Sequence, residues 1–222
     1  MVGPGRDLRA RHEPPGAGQL RTIVQISKLT GMITMNDFSS VQIGRRSAVQ
    51  APRPAPMHIV LFGAGHVGHA LVTLLGSLPC VVQWVDERDE LFPDETPANV
   101  QIEATDTPDA IVDTAPPGAY FLVMTHNHAL DFSLAARIMR RRDFTYFGMI
   151  GSKTKRVKFE RRLLDRGVDL DRLVEMTCPI GVTGIVDKAP AAIAVAVCAE
   201  LLQIRSRQAA AQAAMQKLCS SV

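Results

Sequence analysis

Cysteine is scarce in this chain. There are four in 222 residues (Cys80, Cys178, Cys198 and Cys219), far apart and with no CxxC pair. That spacing excludes a disulfide framework and the paired-cysteine zinc patterns, and it predicts a reducing, cytoplasmic setting. Aromatic residues make up only 5% of the chain, too few for a module that stacks on bases. A net charge of +3 gives no ground for a nucleic-acid partner. The longest uncharged apolar stretch, residues 189–199, is too short to span a bilayer. The first twenty residues hold Arg, Pro and Gly but no apolar signal-peptide core. The expectation is a soluble cytoplasmic protein that engages neither membrane nor nucleic acid.

What is present is a regular alternation of strand-like and helix-like segments. Residues 1–56 read as a short, partly disordered N-terminal segment. They carry modest strand-like runs at 22–26 and 41–43 and end in a Pro-rich extended linker at 51–56. From residue 57, strands are expected at 58–62, 81–86, 100–104, 120–125 and 144–150. Helices are expected from Gly68, after Pro108, over 129–142, over 153–166, and from Pro190 to about Arg207. Such alternation predicts an α/β fold: a Rossmann-like, doubly wound parallel sheet with helices on both faces, covering 57–207. Residues 208–222 read as a flexible helical tail, and the alanine-rich helix before them reads as fully buried.

The turn Gly63-Ala64-Gly65-His66-Val67-Gly68 joins an apolar, β-prone run to an amphipathic helix. In that context Gly63 permits a tight turn, Gly65 lets backbone approach a phosphate, and Gly68 lets helix and strand pack closely. The following helix directs unpaired N–H groups and partial positive charge at an anion. His66 stands at the mouth of that helix, as a donor to a phosphate or as a solvent-exposed first-turn residue. Asp86 ends the second strand, eighteen residues beyond Gly68, where a carboxylate can accept from ribose hydroxyls. The alternative is an ordinary acid in an acidic run.

Three further segments carry chemistry. Thr125, His126 and His128 follow the strongest strand, where loops line the ligand crevice of an open parallel sheet. They read as hydrogen-bonding groups to a polar ligand or as a plain loop with a helix cap, and less readily, with Asp131 three residues on, as two histidines and a carboxylate on a metal. Ser152 is a good N-cap, yet Lys153, Lys155 and Arg156 fill the first turn behind it, where cations oppose the helix dipole. A bound anion resolves that conflict. Between residues 137 and 166 there are eleven Lys and Arg against three acids. Cys178 precedes a proline in a loop, as a partly ionised thiol and soft ligand or as a small buried residue. Lys188, just before the last helix, is another anion-facing candidate.

In order, Phe62-Gly63-Ala64-Gly65-His66-Val67-Gly68, Trp84-Val85-Asp86, Val123-Met124-Thr125-His126-Asn127-His128-Ala129-Leu130-Asp131, Ile150-Gly151-Ser152-Lys153-Thr154-Lys155-Arg156 and Thr177-Cys178-Pro179-Ile180-Gly181 resemble one family. It is the C-terminal Rossmann-like domain of the XdhC/CoxI family, the xanthine dehydrogenase accessory proteins. The resemblance implies a maturation factor without independent turnover. Such a factor binds the molybdenum cofactor (molybdopterin) and supports its sulfuration with a cysteine desulfurase. It then delivers the cofactor to xanthine dehydrogenase or a related molybdenum hydroxylase. On this reading the glycine turn and the 152–156 turn hold phosphate, and Cys178 and the histidine loop face molybdenum. A homodimer is left open. Two departures stand out. Residues 1–56 contain no cysteine, hence no Gly-Gly-Cys motif of the family's N-terminal domain. Ile185-Val186-Asp187-Lys188-Ala189 replaces a glycine-rich approach to the lysine. The residues alone also admit an NAD(P)-dependent oxidoreductase, or a nucleotide-sensing Rossmann module.

Overall fold

A computed structural model describes residues 55–219 of the chain. The strand-like runs expected at 22–26 and 41–43 and residues 51–54 of the Pro-rich linker lie outside the described residues.

Six strands form one sheet: β1 (Met57–Phe62), β2 (Cys80–Asp86), β3 (Val100–Ala104), β4 (Tyr120–Val123), β5 (Tyr146–Met149) and β6 (Met176–Thr177). Their order is β3-β2-β1-β4-β5-β6, and every neighbouring pair is parallel. The helices are α1 (His66–Leu75), α2 (Pro108–Thr114), α3 (His128–Ile138), α4 (Lys153–Leu164) and α5 (Pro190–Cys219). The doubly wound α/β expectation holds, with the strand order of a dinucleotide-binding fold.

Period-two alternation along each buried strand builds two cores, one on each face. Val60, Phe62, Phe121 and Val123 pack with Val112 of α2, Leu134 of α3 and Leu163 of α4. Ile59, Leu61, Trp84 and Leu122 instead pack with Leu71 of α1 and Val197 and Leu201 of α5. The strand order reverses between β1 and β4, so their carboxyl ends form the natural crevice of the fold.

Element boundaries differ from expectation where tertiary packing decides them. β5 begins at Tyr146 rather than Phe144, and α3 ends at Ile138 rather than Arg142. The two-residue β6, too short to show a period, was not expected. The last helix departs most. It runs unbroken to Cys219, past Arg207, and it is not fully buried. Ala194, Ala196, Val197, Cys198 and Leu201 form its buried face, whereas Val195, Met215 and Leu218 are exposed. Alanine-rich composition sustains a helix on intrinsic propensity without a covering surface.

Two glycines hold α1 against the sheet. Gly63 adopts φ +118°, and a Cβ there would run into the Met124 carbonyl oxygen at the exit of β4. A Cβ on Gly68 would be driven into the carbonyl oxygen of Gly63, which also accepts the Trp84 Nε1–H at 3.0 Å. Both obstacles are backbone, so neither yields by changing rotamer. Gly68→Ala is expected to cost about 1–3 kcal/mol by overpacking. Urea unfolding at unchanged m-value measures it.

Candidate functional site

The glycine turn emerges from β1 with its first amide tied down. Gly63 N–H donates to the Val85 carbonyl at 2.8 Å, and Ala64 N–H donates to Asp86 Oδ2 at 2.7 Å. Gly65 then stands at the N-cap of α1 in extended conformation, with no side-chain cap for the helix. A Cβ built on Gly65 would meet nothing within 4 Å. The start of α1 therefore presents uncapped backbone donors to open space, as an anion site requires. His66, the first residue of α1, is exposed beside them.

Asp86 is placed differently from a free ribose acceptor. Its buried carboxylate takes the Ala64 amide, the Arg88 amide at 3.0 Å, and a two-pronged contact from the Arg88 guanidinium at 2.9 and 3.1 Å. Burial pushes the carboxyl up, but the hydrogen bonds from Arg88 and Ala64 outweigh it and hold the group below the usual carboxylate range. Asp86 thus clamps the end of β2 to the glycine turn. Asp86, Glu87, Pro108, Thr125 and His126 line a small cleft of about 10 Å³, the size of one water, between the ends of β1, β2 and β4.

Past β4, Thr125 begins a second cluster. Asn127 caps α3 through Oδ1, which accepts from the Ala129 and Leu130 amides at 2.9 and 3.3 Å. Asp131, fully buried in the first turn of α3, accepts from Thr125 N–H at 3.1 Å and Thr125 Oγ1 at 2.7 Å. Its other oxygen meets Lys155 Nζ at 2.6 Å, and Lys155 Nζ also donates to the Ile150 carbonyl at 2.9 Å. Lys155 is only 12% exposed. The first-turn lysine that the helix dipole disfavours is thereby neutralised by a carboxylate of the protein itself. Ser152 caps α4 as expected, its Oγ accepting from Lys155 N–H at 3.1 Å. Lys153 is exposed, and Arg156 turns to Glu160 at 2.6 Å.

Cys178 sits behind this cluster. It is buried at 2% exposure, and a Cβ on Gly151 would lie 3.0 Å from its sulfur. Burial pushes its thiol pKa up, against the opposing pull of Lys155 and Arg156. The expectation of a partly ionised thiol is therefore corrected, because desolvation outweighs the nearby cations. The Cys178–Pro179 peptide is cis. Glu200 of α5 fixes the following loop, accepting from Tyr146 OH at 2.6 Å and Gly181 N–H at 2.7 Å.

The structure brings Asp86, Thr125 and His126 to one cleft, with the turn of Gly63, Gly65 and Gly68 tied to it through Asp86, and groups Thr125, Ser152, Lys155, Arg156 and Cys178 at the adjoining strand ends. His128 is exposed at the start of α3. Lys188 is exposed in the loop before α5, and among the described residues no hydrogen bond or ion pair joins it to either group. The neighbouring Asp187 accepts from Ala189 N–H at 2.8 Å. Among the described residues, no three His, Cys, Asp or Glu side chains are arranged to hold a metal ion. Asp131 entered the sequence reading only as a carboxylate that could join the histidines on a metal, and its role as the partner of Lys155 was missed. Its signal was present, since residues 134, 135 and 138 form the buried stripe of α3 and that stripe runs back through position 131. No described helix is long and apolar enough to cross a membrane.

Residues 59–201 match the model of the XdhC Rossmann domain family. The uncharacterized protein YqeB of Escherichia coli (strain K12) is 28% identical over 165 residues, covering 72% of this chain and 29% of YqeB. A crystal structure from Bacillus halodurans, described as a xanthine dehydrogenase, matches with a TM-score of 0.57 at 24% identity. That likeness covers 68% of this chain and 44% of the other, and it speaks to the fold. The chain spans less than a third of the first relative and less than half of the second.

Two outcomes are expected from these contacts. Asp131→Ala leaves the buried Lys155 ammonium without its carboxylate and should cost about 3–5 kcal/mol in denaturant unfolding. Asp86, with a folded pKa below its unfolded one, contributes stability above the unfolded value of about 3.9 and loses it as pH falls through the folded value. Asp86→Asn should therefore lower the melting temperature at neutral pH. It should also flatten the acid limb of the stability–pH curve below about pH 4.

Proposed function

This chain belongs to the XdhC family through its Rossmann domain, and on that premise we propose that it is an accessory protein in the maturation of xanthine dehydrogenase or a related molybdenum hydroxylase. In this role residues 57–207 bind the molybdenum cofactor, support its sulfuration with a cysteine desulfurase, and hand it to the hydroxylase, without turnover of their own.

The observation that carries the reading is the uncapped start of α1 at the switch point of the sheet, with open space at Gly65. A pterin phosphate suits those backbone donors. His66, and Lys153 at the start of α4, are exposed cations or donors at the same ends of the strands and would add to the hold. When bound, the cofactor supplies the molybdenum centre that the client hydroxylase uses. The metal end is less provided for. Cys178 lies buried with its thiol protonated, so the loop from 178 to 184 has to open before its sulfur can face a ligand.

An NAD(P)-dependent role is disfavoured by the state of Asp86. Its carboxylate is already engaged by Ala64 and Arg88, and a ribose would have to displace the Arg88 guanidinium.

Gly65→Ala separates binding from folding, because a Cβ there has no protein atom within 4 Å. The variant should melt with the wild type while its affinity for molybdopterin, measured by fluorescence quenching, drops at least about tenfold through loss of the amide–phosphate contacts. Tight binding of NAD(H) with no detectable binding of molybdopterin would overturn the proposal.

A further inference from the structure

Most of the basic charge lies away from the crevice. α3 and α4 each follow a strand and return antiparallel to it, so their C-terminal turns lead away from the carboxyl ends of the strands. Arg137, Arg140, Arg162 and Arg166 line a groove of about 280 Å³ there, which runs over Phe132 and Ser133 and reaches back to Ala129 and Asp109 at the starts of α3 and α2. A second cleft of about 240 Å³ shares Ala136, Arg140 and Arg166 with it and continues to Arg142 and Arg172.

Three of these guanidinium groups are not spent on the protein's own carboxylates. Arg137 pairs with Asp113, but Arg140, Arg162 and Arg166 have no carboxylate partner among the described residues. The guanidinium carbon of Arg162 lies over the Phe132 ring at 3.7 Å from its centre, and that of Arg166 approaches the same ring at 5.7 Å. Stacking holds the planar forks in place at little further entropic cost, which favours recognition of carboxylates over loose screening.

A second observation concerns what the occupant can be. Phe132, the aromatic ring of the groove, is buried beneath Arg162 and Arg166 and offers no face for a nucleic-acid base to stack on. A polypeptide with acidic side chains needs no such face and brings carboxylates for the arginines.

We propose that the groove formed by α2, α3 and α4 is a docking site for an acidic polypeptide segment of a partner protein. It is independent of the ligand assigned to the strand ends, and either assignment can fail without the other.

The test uses the full chain and a fluorescein-labelled peptide of alternating Glu and Ala, followed by anisotropy at low and physiological salt. The Gln counterpart and a duplex RNA serve as competing probes. The Glu peptide should bind, with the Gln peptide inert and the RNA weaker. Arg140→Glu and Arg166→Glu should each weaken binding about tenfold. Arg207→Glu, an equal charge change at an exposed position of α5, should weaken it less than about twofold. These arginines are exposed, and unchanged melting temperatures confirm that the variants fold. An equal loss in all three variants, or RNA binding tighter than the peptide, overturns the proposal.

Discussion

A single buried ion pair organises the part of this molecule where chemistry is expected. Asp131 is fully buried, and a carboxylate in that position is tolerable only when every lone pair is met. Thr125 supplies two donors from the exit of β4, and Lys155 supplies a cation from the start of α4. Lys155 in turn caps the Ile150 carbonyl at the exit of β5. Two strand ends and two helix starts are thereby held in one geometry. The adjacent Gly151, which has room for no side chain between Lys155 and Cys178, follows from the same packing.

A parallel clamp works on the other side of the switch point. Asp86 grips Ala64, and Gly63 and Gly68 press the turn against β4 and the helix against the turn. The two acids act alike: each converts a mobile strand-end loop into a fixed wall, and each does so by giving up its own availability to a ligand. What stays available beside them is the uncapped start of α1 at Gly65, together with exposed His66 and His126, which favours an anionic ligand held by N–H groups over one held by carboxylates.

This division explains which features were legible in the sequence. Strand type, sheet class and the glycine turn were readable because they depend on local periodicity and on steric rules that hold wherever the motif occurs. The roles of Asp86 and Lys155 were not, because a side chain's partner is set by tertiary contacts. Asp86 meets Ala64 across twenty-two residues and Lys155 meets Asp131 across twenty-four. The basic first turn of α4 looked like an unanswered charge, and the answer lay within the chain. For Cys178 the neighbouring cations were legible but the burial that outweighs them was not. Position 131 was recoverable, since an acid falling on the buried stripe of an amphipathic helix demands a partner. The long α5 shows the converse, because composition sustains its helix to Cys219 while saying nothing about whether anything covers it.

The small net charge conceals a separation that bears on how such a protein meets others. Residues 86–113 carry ten acids and one base, whereas residues 137–166 carry eleven bases and three acids. Internal pairing spans the two groups only at Arg137–Asp113. Helix dipoles favour arginines at the C-terminal turns of α3 and α4, which accounts for their sign but not for their convergence on one groove. Nor do dipoles account for the stacking of two of them on one phenylalanine. The groove starts at Asp109 and Ala129, beside Pro108 and Leu130 of the strand-end cleft, and leads away from it along α3 and α4. A ligand at the strand ends and a protein on the groove would thus be neighbours held by different residues, so that one could be engaged before the other is released.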